Sequence, residues 1–226
     1  MKKFVINLES RRDRRDETER QLGRVGWTDV QFFPAIRPED NGGFVSIGAR
    51  GCFNSHLRVI EEAKEQAVLI LEDDLNFADD FPENWDRAMR DLPSDWSIFY
   101  PAHYLDGAGS GVQALAPDTA VLCAHFLAIN SRAVGLIADE LRAMLSREPG
   151  DPRGGPMHVD GAYSTIRRLH PELKTYAYFP SLGYQRSSTS DITPPQKERH
   201  FLRPLRAGLR RFDRLVQLKR RLMGQR

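Results

Sequence analysis

The stretch LILEDDL, residues 69–75, ends an apolar run in three successive acids, Glu72, Asp73 and Asp74. Carboxylates this close repel one another unless a cation or hydrogen-bond donors offset their charge. Oxygen ligands suit a hard divalent ion, Mn²⁺ or Mg²⁺, which keeps coordination positions open for the oxygens of a diphosphate. The same acids could instead cap the next helix or pair with arginines. Arginines are at hand in ESRRDRR, where Arg11, Arg12, Arg14 and Arg15 follow the first apolar run. Guanidinium forks match phosphate oxygens, although the interleaved Asp13, Asp16 and Glu17 also offer ion pairs along a helix.

Two further groups carry chemistry. GARGCFNSHLRV puts Cys52 and His56 four residues apart, a spacing that serves a metal or a nucleophile pair. With no second pair of soft ligands, core packing for Cys52 and a structural hydrogen bond for His56 are the simpler expectation. HVDGAY sets His158 and Asp160 at the start of a helix. Asp160 is a candidate general base and His158 a metal ligand or phosphate contact, while N-capping is the structural alternative for Asp160. His103, His125, His170 and His200 stand in no motif and are read as structural.

These residues need elements to hold them. KFVINL reads as a buried strand ending at Asn7, followed by a helix that Gly23 and Gly26 stop. VQFFPAI is a second strand, and the segment from Gly51 an amphipathic helix. AVLILEDD has no alternation, which indicates a central strand buried on both faces of a largely parallel sheet. FPENWDRAMRDLP reads as a helix, DWSIFYPA as a strand and YLDGAGSGVQALAPDTA as a Gly-rich excursion. AVLCAHFLAI is a strand, with a helix capped by Ser131 after it. A Pro/Gly loop at 146–157, long enough for a lid or an acceptor-side loop, precedes the helix at DGAYSTIRRLH. TYAYFP is the last strand, and GYQRSSTSDITPP an irregular polar segment. Strands alternating with helices give a three-layer α/β/α fold. Ligands of such sheets gather beyond the carboxyl ends of the strands, where Asn7, Glu72-Asp73-Asp74 and Pro101 fall.

The motifs VINLESRRDRR, GCFNSHLRV, VLILEDDL, HVDGAY and PSLGYQRSSTSDI occur in this order between residues 3 and 192. Together they resemble glycosyltransferase family 25, which includes bacterial lipooligosaccharide galactosyltransferases and collagen-glycosylating relatives. The resemblance implies a GT-A type nucleotide-diphospho-sugar transferase fold with a mostly parallel central sheet. It also implies inverting transfer of a hexose, commonly galactose, from a UDP-sugar to a glycan or lipid-linked acceptor in lipopolysaccharide or surface polysaccharide synthesis. Carried onto this sequence, Asn7, Leu8, Arg11 and Arg15 lie at the nucleotide, with Glu72 and Asp73. Glu72-Asp73-Asp74 stands where the family has Asp-x-Asp, with Asp74 the first choice for the Mn²⁺ ligand and Glu72 and His158 beside it. Asp160 becomes the base, and Gln185, Ser190 and Asp191 close the donor site. Two alternatives remain: a non-catalytic member that binds nucleotide-sugar or glycan, and a metal-dependent phosphodiesterase, which lacks the extra His/Asp ligands such sites use.

Composition bounds these readings. The chain has 226 residues, 40% hydrophobic and 28% charged, which suits one globular domain. No apolar run is long enough to span a bilayer or to form a signal peptide core, and two cysteines make no disulfide framework. A cytoplasmic protein is therefore expected. The net charge of +2 is a cancellation. Residues 197–226 hold 11 Lys or Arg against Glu198 and Asp213, whereas residues 1–196 hold 22 basic against 29 acidic residues. The expected organisation is a GT-A-like domain over 1–196 and a basic amphipathic helical tail over 197–226. In the tail Leu202, Leu205, Leu209 and Phe212 recur at helical steps among Arg206, Arg210, Arg214 and Arg221. That pattern suits the anionic inner face of a membrane, or a helix packed on its own domain. Nucleic acid is not expected, since the body is acidic and carries no reading motif.

Overall fold

The computed structural model describes residues 1–107 and 109–186. In chain order the elements are β1 (Lys2–Asn7), α1 (Arg12–Arg24), β2 (Gln31–Pro34), α2 (Ile47–Glu62), β3 (Val68–Glu72), β4 (Leu75–Phe77), α3 (Phe81–Asp91), β5 (Ile98–Tyr100), β6 (Gly111–Leu115), β7 (Phe126–Ile129), α4 (Ser131–Met144), α5 (Val159–Leu169), β8 (Thr175–Phe179) and β9 (Gly183–Gln185). Seven strands form one sheet in the order β2-β1-β3-β7-β5-β8-β6, and β4 pairs with β9 separately. In the large sheet β1, β2, β3, β5 and β8 run one way, while β7 and β6 run against their neighbours. This is the mostly parallel α/β arrangement expected from the sequence.

The lack of alternation in AVLILEDD has a direct cause in the packing. Val68 and Ile70 join a core with α2, α4 and α5, whereas Leu69 and Leu71 join a second core with α1 and α3. Both faces of β3 are covered, so both sets of its side chains must be apolar. In the second core Phe77, Phe81, Trp85 and Phe126 gather around Trp27, whose ring centroid lies 5.1–6.3 Å from theirs. Edge-on contacts at such separations are the preferred aromatic geometry. No helix among the described residues is long and apolar enough to cross a membrane.

Four local expectations are corrected. α2 starts at Ile47, not after Gly51, because Ser46 Oγ accepts the Ala49 N–H at 3.0 Å and caps it. Gly51 is thus inside a helix, and a Cβ there would lie 2.5 Å from the Ile36 carbonyl oxygen, so its smallness lets α2 approach the chain after β2. The Gly-rich excursion contains a strand, β6, at the sheet edge against β8. Asn130, not Ser131, caps α4, its Oδ1 accepting the Arg132 N–H. The polar segment after Pro180 begins as β9, with Leu75 opposite Gln185. Its remainder, together with the 1–196 boundary and the basic tail, lies outside the described residues.

Candidate active site

The acidic triplet sits where β3 ends and the chain turns into β4, and its three side chains part company. Glu72 faces α2: its Oε1 is 3.2 Å from His56 Nε2 and 3.8 Å from Cys52 Sγ. Asp73 faces β1 and α1, where Asn7 Nδ2 donates to Oδ2 and Arg14 Nη1 to Oδ1, each at 2.8 Å. Asp74 faces β9, and its Oδ2 accepts from Gln185 Nε2 at 2.8 Å. Different partners for successive residues are how the strand end tolerates three carboxyls. Backbone contacts fix the turn further: Thr18 Oγ1 and Arg186 Nη2 both donate to the Asp73 carbonyl, and Arg186 N–H to that of Asp74.

Their ionisation diverges accordingly. Burial presses Glu72 upward, but the hydrogen bond and charge of His56, with His125 and Cys52 adding to them, bring its carboxyl below the ordinary range. Asp74 is pushed up to about 7 by burial and by the negative charge of Glu72, against the opposing pull of Gln185 and Arg14. One of its oxygens, Oδ1, is buried without a hydrogen-bond partner among the described residues.

Glu72 also lines a cleft whose walls include Cys52 of α2, Cys123 and His125 ahead of β7, His158 and Asp160 at the start of α5, and Gln185. The antiparallel course of β7 explains the third wall, because it brings the beginning of that strand to the edge where β1, β3 and β5 end. Glu72 N–H donates to the His125 carbonyl at 2.9 Å, which sets the two residues opposite one another. His125 is 1% exposed, both its ring nitrogens are without a hydrogen-bond partner among the described residues, and burial lowers it to about 4, so it is a neutral imidazole. Burial raises both cysteines, Cys123 to about 12, so they are thiols and not nucleophilic thiolates.

The predicted residues fall as follows. Glu72, Asp160, His158 and Gln185 meet at the cleft, with Asp74 directly behind Gln185. Asn7 and Asp73 are joined to each other beside it. The arginine that reaches the triplet is Arg14, whereas Arg11 pairs with Asp13 and Arg15 pairs with Glu19 and covers the Phe32 ring. Leu8 is half-buried at the end of β1, its carbonyl accepting the Arg11 N–H. His158 occupies the N-cap position of α5 without a side-chain cap bond, so Asp160 is not the cap; its Oδ1 accepts the Gly161 N–H at 2.7 Å. His56 makes the structural hydrogen bonds expected of it, the second to Tyr163 Oη at 3.1 Å. Ser190 and Asp191 lie outside the described residues. Sequence reasoning missed His125 and Arg186, although Arg186 stands inside the late motif and its position beside Gln185 was the available signal.

Asp74 offers a hard cation a buried carboxylate oxygen with no partner among the described residues. The group of His, Cys, Asp or Glu ligand atoms gathered within 4.8 Å among those residues is Cys52, His56 and Glu72, so Glu72 and His158 are not drawn together with Asp74.

Residues 1–106 match the family described as glycosyltransferase family 25 (LPS biosynthesis protein). The chain is similar, at 33% identity over 41% of its length, to the "Putative glycosyltransferase R655" of Acanthamoeba polyphaga mimivirus, covering 34% of that protein. It is 30% identical over 43% of its length to the human "Inactive glycosyltransferase 25 family member 3" and 27% over 43% to mouse "Procollagen galactosyltransferase 2". The matched stretches cover 21% and 20% of those two proteins, so the chain spans a minor part of the relatives it resembles.

Proposed function

We propose, from the family 25 match over residues 1–106 and the cleft that joins Glu72 to Asp160, that the protein is an inverting glycosyltransferase using a UDP-hexose. The observation that carries this reading is the meeting of two separate acidic stations in one cleft. Displacement with inversion requires a base on one side of the sugar and charge neutralisation of the departing diphosphate on the other. Asp160 is the base: it takes the proton of the acceptor hydroxyl as that oxygen bonds to the anomeric carbon and the bond to UDP breaks. The Gly161 N–H holds its carboxylate in place. Asn7 and Arg14 brace Asp73, and Gln185 guards Asp74. Mn²⁺ or Mg²⁺, held at Asp74, would supply the positive charge for the diphosphate. Galactose is the donor sugar proposed, since one relative bears that activity in its name. The acceptor proposed is a lipid-linked or surface glycan, reached from the cytoplasmic leaflet.

The test is Asp160→Asn, assayed for UDP release and for UDP binding with Mn²⁺. Transfer should fall by at least ~100-fold, the low end of general-base contributions, with UDP binding retained. Near wild-type turnover would remove Asp160 from its role. The rival reading, nucleotide-sugar binding without transfer, has the relative named inactive in its favour. It predicts thermal stabilisation by donors with no UDP release from any of them.

A further inference from the structure

We propose that Cys52, His56 and Glu72 form a binding site for a borderline-soft divalent cation, Zn²⁺ by preference, distinct from the hard-cation station at Asp74. Cys52 Sγ, His56 Nε2 and a Glu72 carboxylate oxygen all lie within 4.8 Å of one another. Two edges of that triangle are nearly those of a tetrahedral centre. Bond lengths of about 2.3 Å to sulfur and 2.0–2.2 Å to nitrogen and oxygen give edges of about 3.6 Å for S···O and 3.4 Å for N···O. The observed separations are 3.8 Å and 3.2 Å. Small side-chain shifts therefore bring three ligands onto one ion.

The surroundings suit the same ion. A metal-bound imidazole donates its other ring N–H to an acceptor that fixes the ring, and Tyr163 Oη stands 3.1 Å from His56 Nδ1. His56 is fully buried and held by α2, so its aim is fixed before any ion arrives. Cys52 and Glu72 both line the cleft, which supplies the route in and leaves the fourth position open. A thiolate ligand selects Zn²⁺ over Mn²⁺ or Mg²⁺. On binding, the Cys52 S–H proton leaves to solvent. The His56 Nε2 proton is replaced by the metal while Nδ1 takes one up, and the Tyr163 hydroxyl turns from donor to acceptor.

The pairing of Cys52 with His56 at helical spacing showed two soft ligands but not the third, which comes from β3, 16 residues after His56. The site does not depend on the transferase reading, and its test does not measure transfer. Full-length protein is titrated with Zn²⁺ by calorimetry and with Co²⁺ by absorption spectroscopy. One equivalent should bind, with a thiolate-to-Co²⁺ charge-transfer band in the near ultraviolet. Cys52→Ser should abolish the band, Cys123→Ser should retain it, and Glu72→Gln should keep the band while weakening Zn²⁺ about tenfold. Far-ultraviolet circular dichroism of each variant checks folding, and Glu72→Gln retains the thiol should Cys52→Ser unfold. Absence of stoichiometric Zn²⁺ binding by the unmutated chain, or a band that survives Cys52→Ser, overturns the proposal.

Discussion

Asp74 shows what a single side chain costs the fold and what it stands ready to do. Its carboxyl is held near 7 against an ordinary value of 3.8. Between those values the native chain keeps a proton that the unfolded chain has released, so stability falls as pH rises from about 4 to 7 and stays lowered above. Asp74→Asn removes the titration while its side-chain oxygen can still accept from Gln185. Urea melts should show the variant more stable at pH 8, by up to ~4 kcal/mol on the linkage scale, with the gain gone by pH 4. A variant less stable at both pH values would mean that the carboxylate is already compensated. Mn²⁺ should raise the melting temperature of the wild type at pH 8 and that of the variant much less. The sequence displayed this residue plainly, since three acids after five apolar residues are conspicuous. It could not show their divergence, which depends on α2, α1 and β9 converging from distant parts of the chain. Nor could it separate Arg14 from Arg11 and Arg15: on one helix turn the choice is made by direction, and among the described contacts it is Arg14 that donates to the Asp73 carboxylate.

α5 organises one side of the cleft. Its first turn carries Asp160, and its later turns hold the segment that leads into β7. Ser164 Oγ accepts the Val121 N–H at 3.1 Å. The guanidinium of Arg167, wholly enclosed, donates to Thr119 O and Ala116 O at 2.7 Å and to Thr175 Oγ1 at 3.0 Å. No carboxylate is among these hydrogen-bond partners, so carbonyl dipoles carry much of the compensation for burying this cation. Arg167→Met should lower stability by about 1–3 kcal/mol in denaturant melts, since Thr119 O, Ala116 O and Thr175 Oγ1 all lose the guanidinium donors while Ala116 O keeps only the Thr119 N–H. In the folded fraction, donor or acceptor KM should rise, because the segment leading to Cys123 and His125 loses one of its ties to α5 and keeps that of Ser164. An effect below about 1 kcal/mol would show that water replaces the guanidinium. The apolar patterns of β1, β3, β7 and α5 made these elements legible from sequence. β4, β6 and β9 were not, being strands of three to five residues at a sheet edge or in a two-stranded ribbon, too short for a repeating pattern to show. His125 was obscured for a related reason, as its place in the cleft follows from β7 running antiparallel.

At the scale of the molecule the charge is divided along the chain. The 30 residues from 197 carry a formal +9 and the preceding 196 a formal −7, so the near-neutral total conceals two opposite fields. A polybasic segment gains roughly 1 kcal/mol per Lys or Arg at an anionic bilayer surface, within a Debye length of about 8 Å at physiological salt. The acidic body is repelled by the same surface. If residues 197–226 bind the bilayer, the body is turned toward solvent and the acceptor must be presented by lipid-linked glycan at the interface. The full chain should therefore cosediment with vesicles containing anionic lipid and not with neutral ones, and lose that binding as salt is raised. Replacing Arg206, Arg210, Arg214 and Arg221 with Glu changes the formal charge of the segment from +9 to +1. The substituted chain should fail to cosediment at low salt while keeping UDP binding, because no candidate site residue has been altered. Equal sedimentation of the two chains would show that the basic segment serves the protein itself and not a membrane.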